Sequence, residues 1–241
     1  MDQQTARRII AILAKRYPDY GAHGHAAAPP FEVLITTILS AQTTDASVDA
    51  VRERLFARYP DAGSLAGAAL PDVEEIIFRT GFFHVKARHI IAASRALLER
   101  FSGTVPATMD ELLTIPGVGR KTANIVLSHA FGKNEGVAVD THVFRLAGRI
   151  GFSVSKDAAG RERDLMGLFP PRRWGDLTDI LIAHGRRTCT ARKPACATCP
   201  ITRWCRYYQD VILPDNEGGG HISPPPGRRV RTRAPRDTGE T

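Results

Sequence analysis

Residues 112–123, LLTIPGVGRKTA, form the most informative segment of the sequence before the cysteines. Pro116 ends a helix because it has no N–H to donate in the next turn. Gly117 and Gly119 permit positive φ and close approach of another backbone. The helix that follows begins with free amide groups at its positive end, and such a loop between helices can hold a phosphate oxygen. The stretch therefore predicts a phosphate-binding hairpin between two helices.

Two other phosphate motifs do not fit this stretch. A P-loop requires Gly directly before Lys-Thr, where this chain has Arg120. A dinucleotide fingerprint requires Gly or Ala at the position of Thr122, and a preceding strand. A plain helix–turn–helix corner without a ligand remains the alternative interpretation.

Lys121 lies in the first turn of the second predicted helix, next to Arg120. The helical period predicts a buried stripe of Ala123, Val126, Leu127 and Ala130, with Lys121, Asn124 and Ser128 on the opposite face. The helix dipole and the neighbouring Arg120 both disfavour the ammonium form of a first-turn lysine. Because a neutral amine is a nucleophile, Lys121 is a candidate catalytic residue, with a merely solvated lysine as the alternative.

A carboxylate follows at Asp140, after an apolar triplet and before a helical pattern, in VAVDTHVFR from Val137 to Arg145. Asp is a favoured N-cap residue, so a helix start is predicted here. A carboxylate at such a position can also stabilise a developing cation or accept a proton. His142 is either a polar group that supports the site or an ordinary helix residue.

The four cysteines of the chain all fall within 17 residues, with spacing C-x6-C-x2-C-x5-C at Cys189, Cys196, Cys199 and Cys205. In a reducing compartment, clustered thiols indicate a metal site rather than two disulfides. Four thiolates suit zinc or an iron–sulfur cluster. Only one C-x2-C pair is present, and the spacing alone leaves both possibilities open.

The chain of 241 residues is basic, with 33 Lys and Arg against 25 Asp and Glu, a net charge of +8 and a pI of about 9.7. This balance favours nucleic acid as a partner, with an anionic membrane surface or a simple solubility surplus as alternatives. No apolar run approaches the ~18 residues of a membrane span. The N-terminal apolar run is too short for a signal peptide, so a cytoplasmic location is expected.

Six cations and no acidic residue lie between His184 and Tyr208: Arg186, Arg187, Arg192, Lys193, Arg203 and Arg206. Arg192 and Lys193 fall inside the loop between the first two cysteines. A metal-fixed loop that carries cations suits the DNA phosphate backbone. Compensation of the thiolate charge is the alternative interpretation.

The whole pattern is helical, and no strand alternation is found, so the predicted fold class is all-α. Helices are predicted over 6–17, 31–42, 45–58, 71–79, 84–101, 109–115, 119–131, 141–150, 157–168 and 173–188. Residues 214–241 contain five Gly, five Pro and few aliphatic side chains, and are predicted to form a disordered tail. The tail has five Arg against four acidic residues, so most of the positive charge belongs to the folded part.

These features together resemble the endonuclease III family of DNA repair glycosylases, from Gln3 to Ile212. The matching stretches are LSAQTTD at 39–45, Ile115–Asn124, Val137–Arg145 and His184–Cys205. The resemblance implies two helical lobes that flank a DNA-binding cleft. One lobe is a six-helix unit over 23–133 with the hairpin at about 112–131. The other combines 1–22 with 134–213 and holds a [4Fe–4S] cluster on the four cysteines.

The resemblance also implies an activity and a set of site residues. The family excises oxidised pyrimidines such as thymine glycol from double-stranded DNA and nicks abasic sites, and we expect a monomer. Lys121 occupies the nucleophile position and Asp140 that of the carboxylate that assists departure of the base. Gln42 matches the residue that fills the gap left by the flipped base, and Phe82 falls where the family usually has a Leu wedge. The remaining candidate DNA contacts are Gly117, Gly119, Arg120, His142, Arg192 and Lys193.

Two other functions are compatible with parts of the pattern. One is a mismatch uracil or thymine glycosylase of the same superfamily. A monofunctional adenine enzyme would lack a lysine at the position of Lys121. The other is a non-catalytic DNA-binding module with a structural metal, which would need neither Lys121 nor Asp140.

Overall fold

The computed structural model describes residues 1–20, 28–43 and 45–214, and every regular element within them is helical, which confirms the all-α prediction. The α-helices are α1 (Gln3–Arg16), α2 (Pro30–Leu39), α3 (Asp45–Arg58), α4 (Ala62–Ala66), α5 (Leu70–Ile77), α6 (Phe83–Phe101), α7 (Met109–Leu113), α8 (Arg120–Phe131), α9 (Thr141–Ile150), α10 (Ala158–Leu168) and α11 (Trp174–Arg187). After α11 come two 3₁₀ turns, Cys196–Thr198 and Thr202–Trp204, and a π-helical segment, Tyr208–Ile212. Apart from Pro214, the predicted disordered tail over 214–241 lies outside the described residues.

Helix α4 is the one α-helix of the described chain that the apolar periodicity does not predict. It has only five residues, too few for a periodic stripe. Its start is fixed by a capping box, in which the Asp61 carboxylate accepts from the Ser64 N–H at 2.8 Å and the Ser64 hydroxyl accepts from the Asp61 N–H at 3.3 Å. The sequence feature that indicates this helix is therefore the Asp-x-x-Ser spacing of its capping box, and not a hydrophobic periodicity.

Buried apolar side chains form two separate cores. The first is built by α2 to α8 and includes Leu34 and Leu97. The second combines α1 from the start of the chain with α9 to α11, and includes Ile9 and Leu181. The lobe boundaries at 1–22 with 134–213 and at 23–133 stay a prediction. In the part of the chain that the structure describes, no helix has the length and apolar character needed to cross a membrane.

A buried carboxylate joins the two cores. Glu162 of α10 is only 6% exposed and accepts from Arg120 Nε at 2.8 Å and from Asn124 Nδ2 at 2.9 Å. Both donors belong to α8, so the pair of bonds fixes the start of α8 against the second core. Asn124 is predicted on the face of α8 opposite its apolar stripe, and in the structure that face is covered there, because its amide is buried against Glu162 of the second core. Gly136 leaves the space for this contact, since a Cβ there would lie 2.2 Å from Glu162 Oε1.

We expect Glu162→Gln to destabilise the protein, because a buried charge-assisted bond to Arg120 is lost while the guanidinium stays half exposed. The expected cost is about 2 kcal/mol, or about 5 °C in thermal midpoint, measured by calorimetry on the cluster-loaded protein. Glu75→Gln, which removes a solvent-exposed pair with Arg54, is the control and should change the midpoint little. Equal midpoints for the two variants would contradict the role given to Glu162.

Candidate active site

A cleft of about 750 Å³ has walls from both cores. The first core contributes residues of α2 and α8, and the second contributes residues of α9 and α11. Four of the predicted site residues line this one cavity: Gln42, Lys121, Asp140 and His142. The other predicted DNA contacts, Phe82, Gly117, Gly119, Arg120, Arg192 and Lys193, lie outside its lining.

The hairpin before α8 has the features of a type II turn. The Val118 N–H donates to the Ile115 carbonyl at 3.1 Å, Pro116 occupies the second position, and Gly117 has φ of +81° at the third. Positive φ is thus required at Gly117, as predicted. It is not required at Gly119, which has extended φ of −102° and no heavy atom within 4 Å of an added Cβ. Gly119 instead leaves open space in front of the first amides of α8.

Lys121 is exposed in the first turn of α8 and faces the cleft. Its neighbour Arg120 is engaged with Glu162, and this carboxylate raises the pKa of the Arg120 guanidinium further above its ordinary value. The sequence places Arg120 beside Lys121 as a like charge, and in the structure that charge is paired with Glu162. Lys121 and His129 are the residues of α8 with basic side chains that line the cleft.

Asp140 caps α9, which confirms the local prediction. Its Oδ1 accepts from the Val143 N–H at 2.7 Å, and the residue lines the cleft opposite α8. His142 packs on α11, where a Cβ added to Gly185 would lie 2.8 Å from His142 Nδ1. Arg145 Nη2 lies 3.2 Å from the same nitrogen. His142 is thus both a cleft residue and part of the contact between α9 and α11.

Gln42 and Phe82 share an unusual backbone conformation. Gln42 has φ of +52° and Phe82 has φ of +59°, although neither is glycine. Such left-handed residues are uncommon and are concentrated at functional sites. Phe82 is 68% exposed, which is high for an apolar residue of its size. Both residues project from loops that are held in a strained shape.

A second pair of ionisable residues links the cores inside the cleft, and the sequence pattern did not single it out. His129 Nε2 of α8 lies 3.2 Å from Asp179 Oδ2 of α11, and both residues line the cavity. The partners are 50 residues apart in sequence, so only the fold brings them together.

The four cysteines line one cavity beyond the C-terminal end of α11. Zinc needs its four ligands at one centre, whereas a cubane cluster binds each thiolate through a different iron. Burial raises the pKa of the Cys199 thiol to about 11, so binding of iron must supply the free energy of its ionisation. Four cysteines around one cavity fit a cluster that binds each thiolate through a different iron.

Two arginines of α9 hold the first part of the cysteine loop. Arg149 Nη1 donates to Cys189 Sγ at 3.4 Å and to the Thr190 carbonyl at 2.7 Å. Arg145 Nη2 donates to the Cys189 carbonyl at 3.0 Å. Sequence reasoning missed both residues. Their spacing of four, which places them on one face of α9, was the available signal.

A chain of buried polar groups lies behind the cysteines. His184 Nδ1 lies 2.8 Å from the Tyr17 hydroxyl, and His184 Nε2 lies 3.8 Å from Cys199 Sγ. Burial, and to a smaller extent the Arg145 charge, lower the pKa of His184 to about 4. The imidazole is therefore neutral near pH 7 and joins α1 to the cysteine loop as a hydrogen-bonding group.

The cations around the cysteines are not all free to meet an anion. Arg187 makes two bonds to the Asp19 carboxylate, at 2.7 and 2.5 Å, and Arg206 pairs with Asp210 at 3.1 Å. Arg192 and Lys193 are exposed on the loop between the first two cysteines, as their predicted role requires. Two of the six cations between His184 and Tyr208 are therefore neutralised by carboxylates from outside that segment.

Comparison with known proteins gives the class of protein. A family model described as HhH-GPD superfamily base excision DNA repair protein matches residues 35–171. A second, described as the iron-sulfur binding domain of endonuclease III, matches residues 189–205. The fold and hairpin thus define a helix–hairpin–helix protein of base excision repair.

The most informative relatives cover nearly the whole folded chain. The endonuclease III of Synechocystis sp. is 47% identical over 213 residues, covering 86% of this chain and 94% of the relative. That of Escherichia coli is 41% identical over 184 residues, covering 76% and 87%. A solved structure of a trapped endonuclease III–DNA covalent intermediate is 38% identical with a TM-score of 0.81, covering 88% of this chain and 99% of that one.

The chain belongs to the endonuclease III family. It is accordingly a DNA-binding enzyme of base excision repair, a DNA glycosylase with abasic-site lyase activity, and it carries a [4Fe–4S] cluster. A thermostable thymine-DNA glycosylase with 21% identity and a TM-score of 0.77 shares the fold.

We expect Arg149→Met to loosen the cysteine loop, because three bonds to residues 189–191 are lost. The visible absorbance of the cluster should then decay several-fold faster in the presence of an iron chelator. Arg203→Met, which removes an exposed guanidinium stacked on Trp204, is the control and should decay like the unaltered protein. Identical decay of Arg149→Met and the unaltered protein would refute this assignment.

Proposed function

We propose that the cleft excises oxidised pyrimidines such as thymine glycol from double-stranded DNA and nicks the abasic site that results. The observation that carries the proposal is that Lys121 and Asp140, from different cores, line one cavity. A flipped nucleotide between them would meet an amine on one side and a carboxylate on the other. Flipping is needed because the sugar carbon cannot be reached in a stacked duplex.

Lys121 acts as the nucleophile. Its neutral amine attacks C1′, the bond between C1′ and the base nitrogen breaks, and the base leaves with that bond's electron pair and takes up a proton. The amine loses its protons as the sugar ring opens to a Schiff base with the lysine nitrogen. Removal of a proton from C2′ then expels the 3′ phosphate, which is the β-elimination that nicks the strand.

Asp140 assists this departure by stabilising the positive charge that develops on the sugar. Capping α9 is compatible with this role, since the bond to Val143 uses Oδ1 and a carboxylate has two oxygens. His142 is proposed as a DNA contact beside it, through its place in the cleft lining.

The other site residues bind and open the duplex. Gly117, Gly119 and Arg120 present the hairpin and the start of α8 to a phosphate, and Arg192 and Lys193 contact the backbone from the cysteine loop. Gln42 fills the gap left by the flipped nucleotide, and Phe82 is the apolar wedge. The exposed ring and left-handed backbone of Phe82 support that role.

Cys189, Cys196, Cys199 and Cys205 are the proposed ligands of the cluster, since all four line one cavity. With a cysteine on every iron, the cluster supplies structural cohesion to the loop that bears Arg192 and Lys193. We further propose that the enzyme acts as a monomer in the cytoplasm, close to the nucleoid if the host is bacterial.

Lys121→Ala should abolish the covalent adduct that borohydride traps on abasic-site DNA, because no amine remains at the reacting position. Lys133→Ala is the matched control: it removes a lysine just after α8 that bonds to the Ala107 carbonyl, and it should keep the adduct. The gel-shifted adduct is quantified in both. An undiminished adduct in Lys121→Ala would rule out the proposed nucleophile.

Asp140→Asn should reduce base excision about 100-fold while DNA binding is largely kept. Asn caps a helix about as well as Asp, so the change removes charge and preserves α9. Asp157→Asn, at the cap of α10 where Oδ1 accepts from Gly160, is the control and should excise normally. Equal loss of DNA binding and excision in Asp140→Asn would reduce Asp140 to a helix cap.

A mismatch uracil or thymine glycosylase is the alternative substrate class. Cleavage of a panel of lesion-bearing duplexes distinguishes this class from the oxidised pyrimidines. We expect a duplex with thymine glycol to be cut faster than one with a G·T or G·U mismatch.

A further inference from the structure

A buried lysine lies directly behind the loops that carry Gln42 and Phe82. Lys86 is on α6, one turn after Phe82, and is only 4% exposed. Its ammonium donates to the Thr43 hydroxyl, and burial lowers the pKa of Lys86. Lysine is among the residues least often buried, because its charged form is costly to remove from water. Packing alone therefore does not explain why a lysine is buried at this position.

The two loops in front of it are strained in the same way. The left-handed φ values of Gln42 and Phe82 cost free energy for residues that have a Cβ. Such conformations persist only where the surroundings hold them. A contact that holds both loops at once is therefore important for both conformations.

Lys86 makes a contact with each loop. Its backbone N–H donates to the Phe82 carbonyl at 3.1 Å, and its side chain donates to Thr43, the residue after Gln42. The loops also lie directly against one another, since a Cβ built on Gly81 would be 3.5 Å from the Gln42 carbonyl oxygen. The backbone bond alone would hold only the loop of Phe82, so it is the ammonium that connects the two.

We propose that Lys86 is a positioning residue that fixes the Gln42 loop and the Phe82 loop in register, so that both side chains enter the duplex together. The inference rests on the proposed function, in which Phe82 wedges the stack and Gln42 fills the gap. Lys86 does not line the cleft that holds Lys121 and Asp140. Its effect is therefore confined to opening the duplex, and the chemistry at Lys121 does not depend on it.

This separation gives a direct test with two abasic-site substrates. A duplex must be opened before Lys121 reaches the sugar, whereas a single-stranded oligonucleotide presents the sugar already unstacked. Lys86→Met keeps the length of the side chain and removes the donor. We expect its borohydride-trapping rate to fall about tenfold on the duplex and to stay unchanged on the single strand.

Four further variants make the test specific. Thr43→Val, which removes the acceptor, should reproduce the duplex defect, and the double variant Lys86→Met/Thr43→Val should add little to it because both residues act in one contact. Thr43→Ser keeps a hydroxyl and should trap like the unaltered enzyme. Ser94→Ala removes another buried bond of α6, to the Ile90 carbonyl, and should leave the duplex-to-single-strand ratio unchanged.

Base flipping can be followed directly by the fluorescence of 2-aminopurine placed next to the abasic site. We expect the increase on binding to be smaller for Lys86→Met and Thr43→Val than for Ser94→Ala. Equal slowing of trapping on both substrates, or no slowing on the duplex, would overturn the role of Lys86. Absence of an adduct in the unaltered enzyme even on single strands would instead overturn the proposed function, and this inference with it.

Discussion

One buried carboxylate fixes the orientation of α8, the helix that carries Lys121. Glu162 accepts from Arg120 and Asn124, which flank Lys121 on α8. A buried anion needs hydrogen-bond donors. A rotation or shift of α8 would remove those donors and leave the Glu162 carboxylate buried without a partner. The same contact ties the first core to α10 of the second. The position of Lys121 relative to the opposite wall of the cleft is thereby set by electrostatics as well as by apolar packing.

Helix α9 makes the corresponding connection on the other wall. Asp140 caps its start at the cleft, while Arg145 and Arg149 further along bind the loop that begins at Cys189. A cluster on the four cysteines would therefore fix both the loop and the helix that presents the carboxylate. This explains how a group remote from the substrate can be structural and still matter for the geometry of the active site.

The features that could be predicted from sequence are local ones. The hairpin turn needs Pro116 and Gly117 at adjacent positions, and the cap at Asp140 needs only the residues of its own helix. The features that the sequence does not predict involve partners distant in sequence. Asn124 is buried against Glu162, 38 residues away, and Arg187 is paired with Asp19, 168 residues away. The hydrophobic periodicity of a helix does not predict which carboxylate, elsewhere in the chain, its polar side chains will bind.

In the proposed function, the Lys121 amine, which α8 brings to the cleft, forms the covalent bond to the sugar. The most direct measurement is peptide mapping by mass spectrometry of the unaltered enzyme after borohydride trapping on abasic-site DNA. The sugar fragment is predicted on the peptide that contains Lys121, and on no other amine. A fragment on Lys86, on another lysine or on the N-terminal amine would contradict the account.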